Sequence, residues 1–160
     1  MRPFEAIVEE HGARVLRVCR ALVGPVDAED AWSETFLAAL TAYPKLAEGS
    51  DVRAWLVTIA HRKAVDVLRA RSRSALNLGE LPERPSTIGI PDAGDRDLWS
   101  AVAALPDRQR QALAYHYLGG LPHSETAAII GGSVESVRRA ASDGVAALRS
   151  IFSYAERSTS

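Results

Sequence analysis

The sequence predicts an all-α chain folded as two small helical domains joined by a flexible linker. Three observations predict it. Apolar residues recur at spacings of three and four through both halves. No stretch alternates in the manner of a half-buried strand. Between Arg73 and Gly94 the run RSALNLGELPERPSTIGIPDAG gathers Pro82, Pro85, Pro91, Gly79, Gly89 and Gly94 with weak periodicity, the composition of a linker. The expected division is therefore 1–72, a linker at 73–94, and 95–160. With 160 residues, 47% of them hydrophobic and 24% charged, the chain has the composition of an ordinary globular protein rather than a disordered one.

The first helix is expected from about Phe4 to Leu22, carrying Ile7, Val8, Val15, Leu16 and Val18 and ending before Gly24 and Pro25. Asp27, with Asp30 three residues on, marks the start of a second, whose stripe is Trp32, Phe36, Leu40 and Tyr43. Pro44 and Gly49 break the chain. Ser50 or Asp51 then caps a third helix holding Val52, Leu56, Ile59 and Leu68. In the second half DLWSAVAAL stops at Pro106, and DRQRQALAYHYLGG ends on paired glycines. A short helix with Ala127, Ala128 and Ile130 meets Gly131 and Gly132, and Ser133 caps a longer one bearing Val137, Ala141, Val145 and Leu148. A short helix, a three-residue turn with glycine and a second helix form a helix-turn-helix.

A formal net charge of -1 gives no global attraction to nucleic acid, so any such binding must be local. The third helix supplies a local excess. From Asp51 to Arg73 there are six basic residues, Arg53, Arg62, Lys63, Arg69, Arg71 and Arg73, against Asp51 and Asp66. These can neutralise phosphates, while Trp55 and His61 offer planar surfaces to an unstacked base. A solvated helix face with Trp55 in the core remains the competing reading.

Cys19 is the sole cysteine, which excludes an internal disulfide or a thiolate cluster; it is expected to be a buried thiol in a reducing compartment. Acidic residues stand where a signal peptide needs an apolar run, and no stretch approaches about 20 apolar residues. A cytoplasmic protein without membrane insertion is expected. His11, His61, His116 and His123 show no metal-ligand pairing, and no phosphate loop or nucleophile elbow occurs. The expectation is a non-enzyme with no cofactor and no metal.

Three segments, DAEDAWSETFLAAL, GSDVRAWLVTIAHRKAVDVLRARSR and LPDRQRQALAYHYLGGLPHSETAAIIGGSVESVRRA, resemble in that order the two domains of extracytoplasmic-function sigma factors of bacterial RNA polymerase. The resemblance covers nearly the whole chain. It implies that the first domain binds the β′ clamp helices of core polymerase and melts the -10 promoter element, and that the second reads the -35 element and sits on the β flap. It also implies an anti-sigma factor as inhibitor, and a monomer when free.

Carried onto this sequence, the polymerase contacts are Asp27, Asp30, Glu34, Phe36, Leu37 and Leu40, although dipole compensation and core packing would equally explain them. The -10 contacts are Ser50, Asp51, Trp55, His61, Arg62, Lys63, Asp66 and Arg69. One base is held in the loop Leu46 to Asp51 and others along the face of Arg62 and Asp66; Arg62 stands where the family often has Asn. The -35 contacts are Ser133, Glu135, Ser136, Arg138 and Arg139, on the recognition helix of the helix-turn-helix. Ala140 and Asp143 occupy positions where the family commonly has a basic residue, and Gly144 weakens the helix by about 1 kcal/mol relative to alanine. These departures leave open a non-initiating regulator that binds polymerase or an anti-sigma factor without reading promoters by itself.

Overall fold

The computed structural model describes residues 2–78 and 93–159, with side chains placed for 2–76 and 97–151. The chain divides into two compact units, Met1–Ser86 and Thr87–Ser160. Among the described residues all regular structure is helical, as the hydrophobic periodicity requires.

The first unit is a three-helix bundle of α1 (Phe4–Val23), α2 (Ala28–Ala42) and α3 (Val52–Leu78), with a 3-10 turn at Tyr43–Lys45. Gly24 ends α1 at φ 87°, its N–H bonding the Arg20 carbonyl at 3.0 Å. Ile7, Val15, Val18, Cys19 and Leu22 of α1 meet Ala31, Thr35, Phe36 and Ala39 of α2 and Leu56, Val57, Ala60 and Ala64 of α3, all buried. The Cys19 thiol is free, and burial pushes its pKa up to about 12, so it is an inert core residue. Where Gly12 carries no side chain, the Trp32 indole lies against α1 and its Nε1–H donates to the Gly12 carbonyl at 2.9 Å. Asp51 is the N-cap of α3, its Oδ1 accepting the Ala54 N–H at 3.1 Å.

α3 differs from expectation at its far end. It continues to Leu78, so residues 73–78, expected in the linker, are helical. No proline or glycine stands before Gly79 to stop it. Of the rest of the expected linker, 79–92 lies outside the described residues, and Ala93 and Gly94 already belong to the next helix. Arg71, at the start of this stretch, donates to the Val23 carbonyl at 2.8 Å and pairs with Asp27. One guanidinium thus joins the end of α1 and the start of α2 to α3.

The second unit contains α4 (Ala93–Ala103), α5 (Asp107–Leu113), a wide turn at Ala114–Leu118, α6 (His123–Ile130) and α7 (Val134–Thr159). Val102, Leu105, Ala112, Leu113, Tyr115, Leu121, Val137 and Ala141 form its buried interior. Gly144 has a packing reason. A Cβ there would lie 3.3 Å from Leu113 Cδ1 and 3.4 Å from the Gln109 carbonyl, so its absence brings α7 close against α5. α6, the turn Gly131–Ser133 and α7 are the expected helix-turn-helix.

Candidate nucleic-acid interface

Two separate surfaces, one in each unit, carry the expected contacts. In the first unit a cleft of about 290 Å³ is lined by Arg2, Ile7, Tyr43, Leu46, Ala47, Glu48, Gly49, Ser50 and Val52. The loop between α2 and α3 forms one wall. Ser50 Oγ donates to the Ala47 carbonyl at 2.6 Å, closing this loop into a compact turn, and Gly49 takes φ 82° with open space where a side chain would be. Arg2, Ile7 and Tyr43 were not foreseen from sequence as part of this site.

From the cleft, α3 leads away with a polar outer face. Trp55, Arg62 and Arg69 are seven residues apart and share that face, and Arg62, Asp66 and Arg69 are exposed. At 1.5 Å per residue Arg62 lies about 15 Å along the helix from Val52. Lys63 is half-buried, as is His61, whose pKa is lowered by burial and then by the neighbouring Arg62. Neutral His61 therefore adds no charge to the face near pH 7. Trp55 is only partly exposed and approaches Tyr43 at 6.3 Å between ring centres, so its two readings meet: one part packs in the bundle and another reaches solvent. Asp51 is exposed, but its carboxylate is engaged as the helix cap.

The surface expected to meet polymerase is resolved by the phase of α2. Asp30, Glu34, Leu37 and Leu40 all face solvent, Leu37 at 60% and Leu40 at 51% exposure. Leu40 therefore leaves the apolar stripe assigned to it. Phe36 points the other way. It is 6% exposed, packed against Trp32 at 4.7 Å and Phe4 at 6.4 Å, because the core face of α2 runs through Ala28, Ala31, Thr35, Phe36 and Ala39. Asp27 is half-buried, its carboxylate paired with Arg71, and it makes no side-chain cap to α2, contrary to the start signal read from the sequence.

In the second unit Ser133 caps α7, its Oγ accepting the Ser136 N–H at 3.0 Å. The Ser136 hydroxyl donates to the Ser133 carbonyl at 2.8 Å and accepts from Arg108 at 2.9 Å, so both serines serve the start of the helix. Arg108 also donates to the Gly131 carbonyl at 2.9 Å, spanning the turn from α5. Glu135 pairs with Arg138 one turn on. Arg138, Arg139 and Asp143 are exposed; Ala140 is 8% exposed and belongs to the cluster of Ala112, Val137 and Ala141. A basic residue at 140 would enter the core, so Ala140 does not weaken the DNA-facing side. His116 and His123 stack face to face at 3.9 Å, with His116 Nδ1 2.7 Å from the Leu121 carbonyl. Burial, His116 and Arg138 lower the His123 pKa, in that order.

Comparison with known proteins agrees with this arrangement. Residues 7–74 match the family described as Sigma-70 region 2, and residues 95–148 match Sigma-70, region 4. A "Probable RNA polymerase sigma-C factor" of Mycobacterium bovis is 33% identical over 141 residues, covering 86% of this chain and 76% of the relative. The "ECF RNA polymerase sigma factor SigD" of Mycobacterium tuberculosis is 34% identical over 137 residues, 78% of this chain and 65% of that one. Among solved structures, the sigma factor RpoE of Bartonella quintana, in complex with the anti-sigma factor NepR, superposes with a TM-score of 0.76 at 23% identity, covering 93% of this chain and 98% of that one. CnrH in complex with the cytosolic domain of CnrY gives 0.67, also at 23% identity, over 94% and 88% of the two chains.

Proposed function

Since the chain belongs to the extracytoplasmic-function sigma factors of RNA polymerase, we propose that its two units divide promoter recognition between them. The first binds core polymerase through the exposed strip Asp30, Glu34, Leu37 and Leu40 of α2, the apolar pair against the β′ clamp helices and the carboxylates against basic partner residues. Its cleft and the outer face of α3 capture the non-template strand of the -10 element, one base in the cleft and the backbone along Arg62 and Arg69. The second unit sets the start of α7 in the major groove at the -35 element, with Arg138 and Arg139 toward bases and phosphates. It also sits on the β flap.

The polymerase supplies the chemistry; this chain supplies recognition and strand capture. Among the described residues no helix is long and apolar enough to cross a membrane. The free chain is a monomer, and an anti-sigma factor covers the α2 strip; the similar fold of RpoE, solved in complex with the anti-sigma factor NepR, supports a partner of this kind.

The observation that carries this reading is the cleft at the head of a helix whose solvent face is basic. The variant Arg62→Glu with Lys63→Glu should lose promoter opening, read by permanganate reactivity of -10 thymines, and keep its co-elution with core polymerase. Unchanged permanganate reactivity would remove the basis for the assignment of α3. The alternative of a non-initiating regulator loses one of its two sequence arguments, because Ala140 faces the core; Asp143 remains.

A further inference from the structure

The cleft beside the α2–α3 loop is not built from the loop alone. One side is Arg2, which precedes residues 7–74 of the region 2 match. A hydrogen bond to its carbonyl and the packing of the nearby Phe4 ring hold this segment there. The Tyr43 hydroxyl donates to the Arg2 carbonyl at 2.5 Å, and the Phe4 ring packs on Tyr43 at 5.4 Å and on Phe36 at 6.4 Å. Tyr43 itself lines the cleft, so the residue that forms its wall also anchors the segment carrying the arginine.

The Arg2 guanidinium pairs with Glu10, whose carboxyl it holds below the ordinary range. Its side chain is nevertheless 58% exposed, and a guanidinium has five N–H donors, more than one carboxylate can occupy. Arg2 lines a cleft of this size, and its planar, always-charged fork matches two adjacent acceptors on one base edge. Cytosine offers O2 and N3, and guanine O6 and N7; adenine and thymine present no such adjacent pair. Glu48, on the loop side of the same cleft, is an acceptor for an exocyclic or ring N–H of the same base.

We infer that Arg2 is a base-reading residue of the -10 cleft, selecting an extruded cytosine or guanine, and that Tyr43 positions it. This rests on the proposal that the cleft takes an extruded base. It places part of the promoter specificity in the residues before α1 rather than in the loop alone.

The test uses holoenzyme reconstituted from core polymerase and the full chain, with synthetic non-template-strand oligonucleotides bearing each of the four bases, or an abasic site, at each -10 position in turn. With the unsubstituted protein, one position should prefer cytosine or guanine over adenine, thymine and the abasic site by about tenfold. Which of the two is preferred distinguishes the two base sources. Arg2→Ala should abolish that preference while leaving affinity for the abasic strand unchanged. Arg2→Lys, which keeps the charge without the fork, should also lose it. Tyr43→Phe should lose a smaller part, without a change in the fold read by circular dichroism.

Equal weakening of base-bearing and abasic strands by Arg2→Ala would make Arg2 a phosphate contact and overturn the inference. An unchanged preference would overturn it as well. If no position in the unsubstituted protein responds to removal of its base, the cleft assignment itself fails, a result distinct from a failure of Arg2.

Discussion

The turn of the helix-turn-helix is held by one side chain, and the consequence can be worked through. Arg108 donates to the Gly131 carbonyl and to Ser136 Oγ, both at 2.9 Å. Hydrogen bonds from a charged donor are worth about 1.5–3 kcal/mol each when buried; with a half-exposed guanidinium the pair is worth about 2 kcal/mol together. Gly132 stands in front of this arginine at φ 89°, and a Cβ there would fall 2.3 Å from Arg108 Nη2. Gly132→Ala therefore costs about 1–2 kcal/mol for the left-handed backbone and also expels the guanidinium, losing its two bonds.

The expected costs are about 2 kcal/mol for Arg108→Ala and about 3.5 kcal/mol for Gly132→Ala. In the double variant the methyl meets no guanidinium and only the Ser136 hydroxyl, 3.0 Å away, has to shift slightly, so the total is again about 3.5 kcal/mol rather than the sum of about 5.5 kcal/mol. Native-state hydrogen exchange at the amides of α6 and α7 reads these values within the second unit, free of the first unit's unfolding. A double variant whose cost equals the sum of the single costs would refute the claim that Gly132 is glycine because Arg108 lies over it.

Four other outcomes follow from the structure. Leu37→Asp with Leu40→Asp should leave stability within about 0.5 kcal/mol, because both side chains are exposed, yet abolish co-elution with core polymerase. The adjacent Phe36→Ala should instead cost about 3–5 kcal/mol of bundle stability, measured by thermal unfolding. Asp143→Arg should raise affinity for a -35 duplex and steepen its salt dependence by about one phosphate contact, read by fluorescence anisotropy; a loss of affinity would mean that Asp143 makes a contact of its own. Burial holds His11 below its ordinary pKa of 6.5, opposed by Glu10, so on acidification the unfolded chain takes up a proton that the native bundle does not. The resulting stability is present above about pH 6.5 and declines as pH falls toward the depressed native value. His11→Gln should flatten the decline, and an unchanged slope between pH 7 and 5 would contradict this.

The helices were legible because their ends are written in residues that act locally. Gly24, Pro44, Asp51, Gly131 and Ser133 terminate or cap as their chemistry demands. The phase of each helix was less legible. Phe36 and Leu37 are neighbours in sequence and about 100° apart on α2, so an apolar run at this point did not say which ring was core and which leucine was surface. Ala140 likewise reads as a missing basic residue by position, whereas its burial among Ala112, Val137 and Ala141 depends on where α5 lies. The end of α3 was misread because its last turns carry no clear hydrophobic period and run into a Pro/Gly-rich segment, so residues 73–78 looked like linker while remaining helical. Contacts over long separations left no local mark at all. Arg71 with Asp27, Arg108 with Ser136, and Tyr43 with Arg2 join residues 44, 28 and 41 positions apart.

The most direct test of promoter recognition is run-off transcription from fragmented host DNA by core polymerase, with and without the purified chain. New, discrete start sites should appear only with the chain present and vanish with Arg62→Glu and Lys63→Glu. Stable co-elution with core polymerase and no new start site would contradict it.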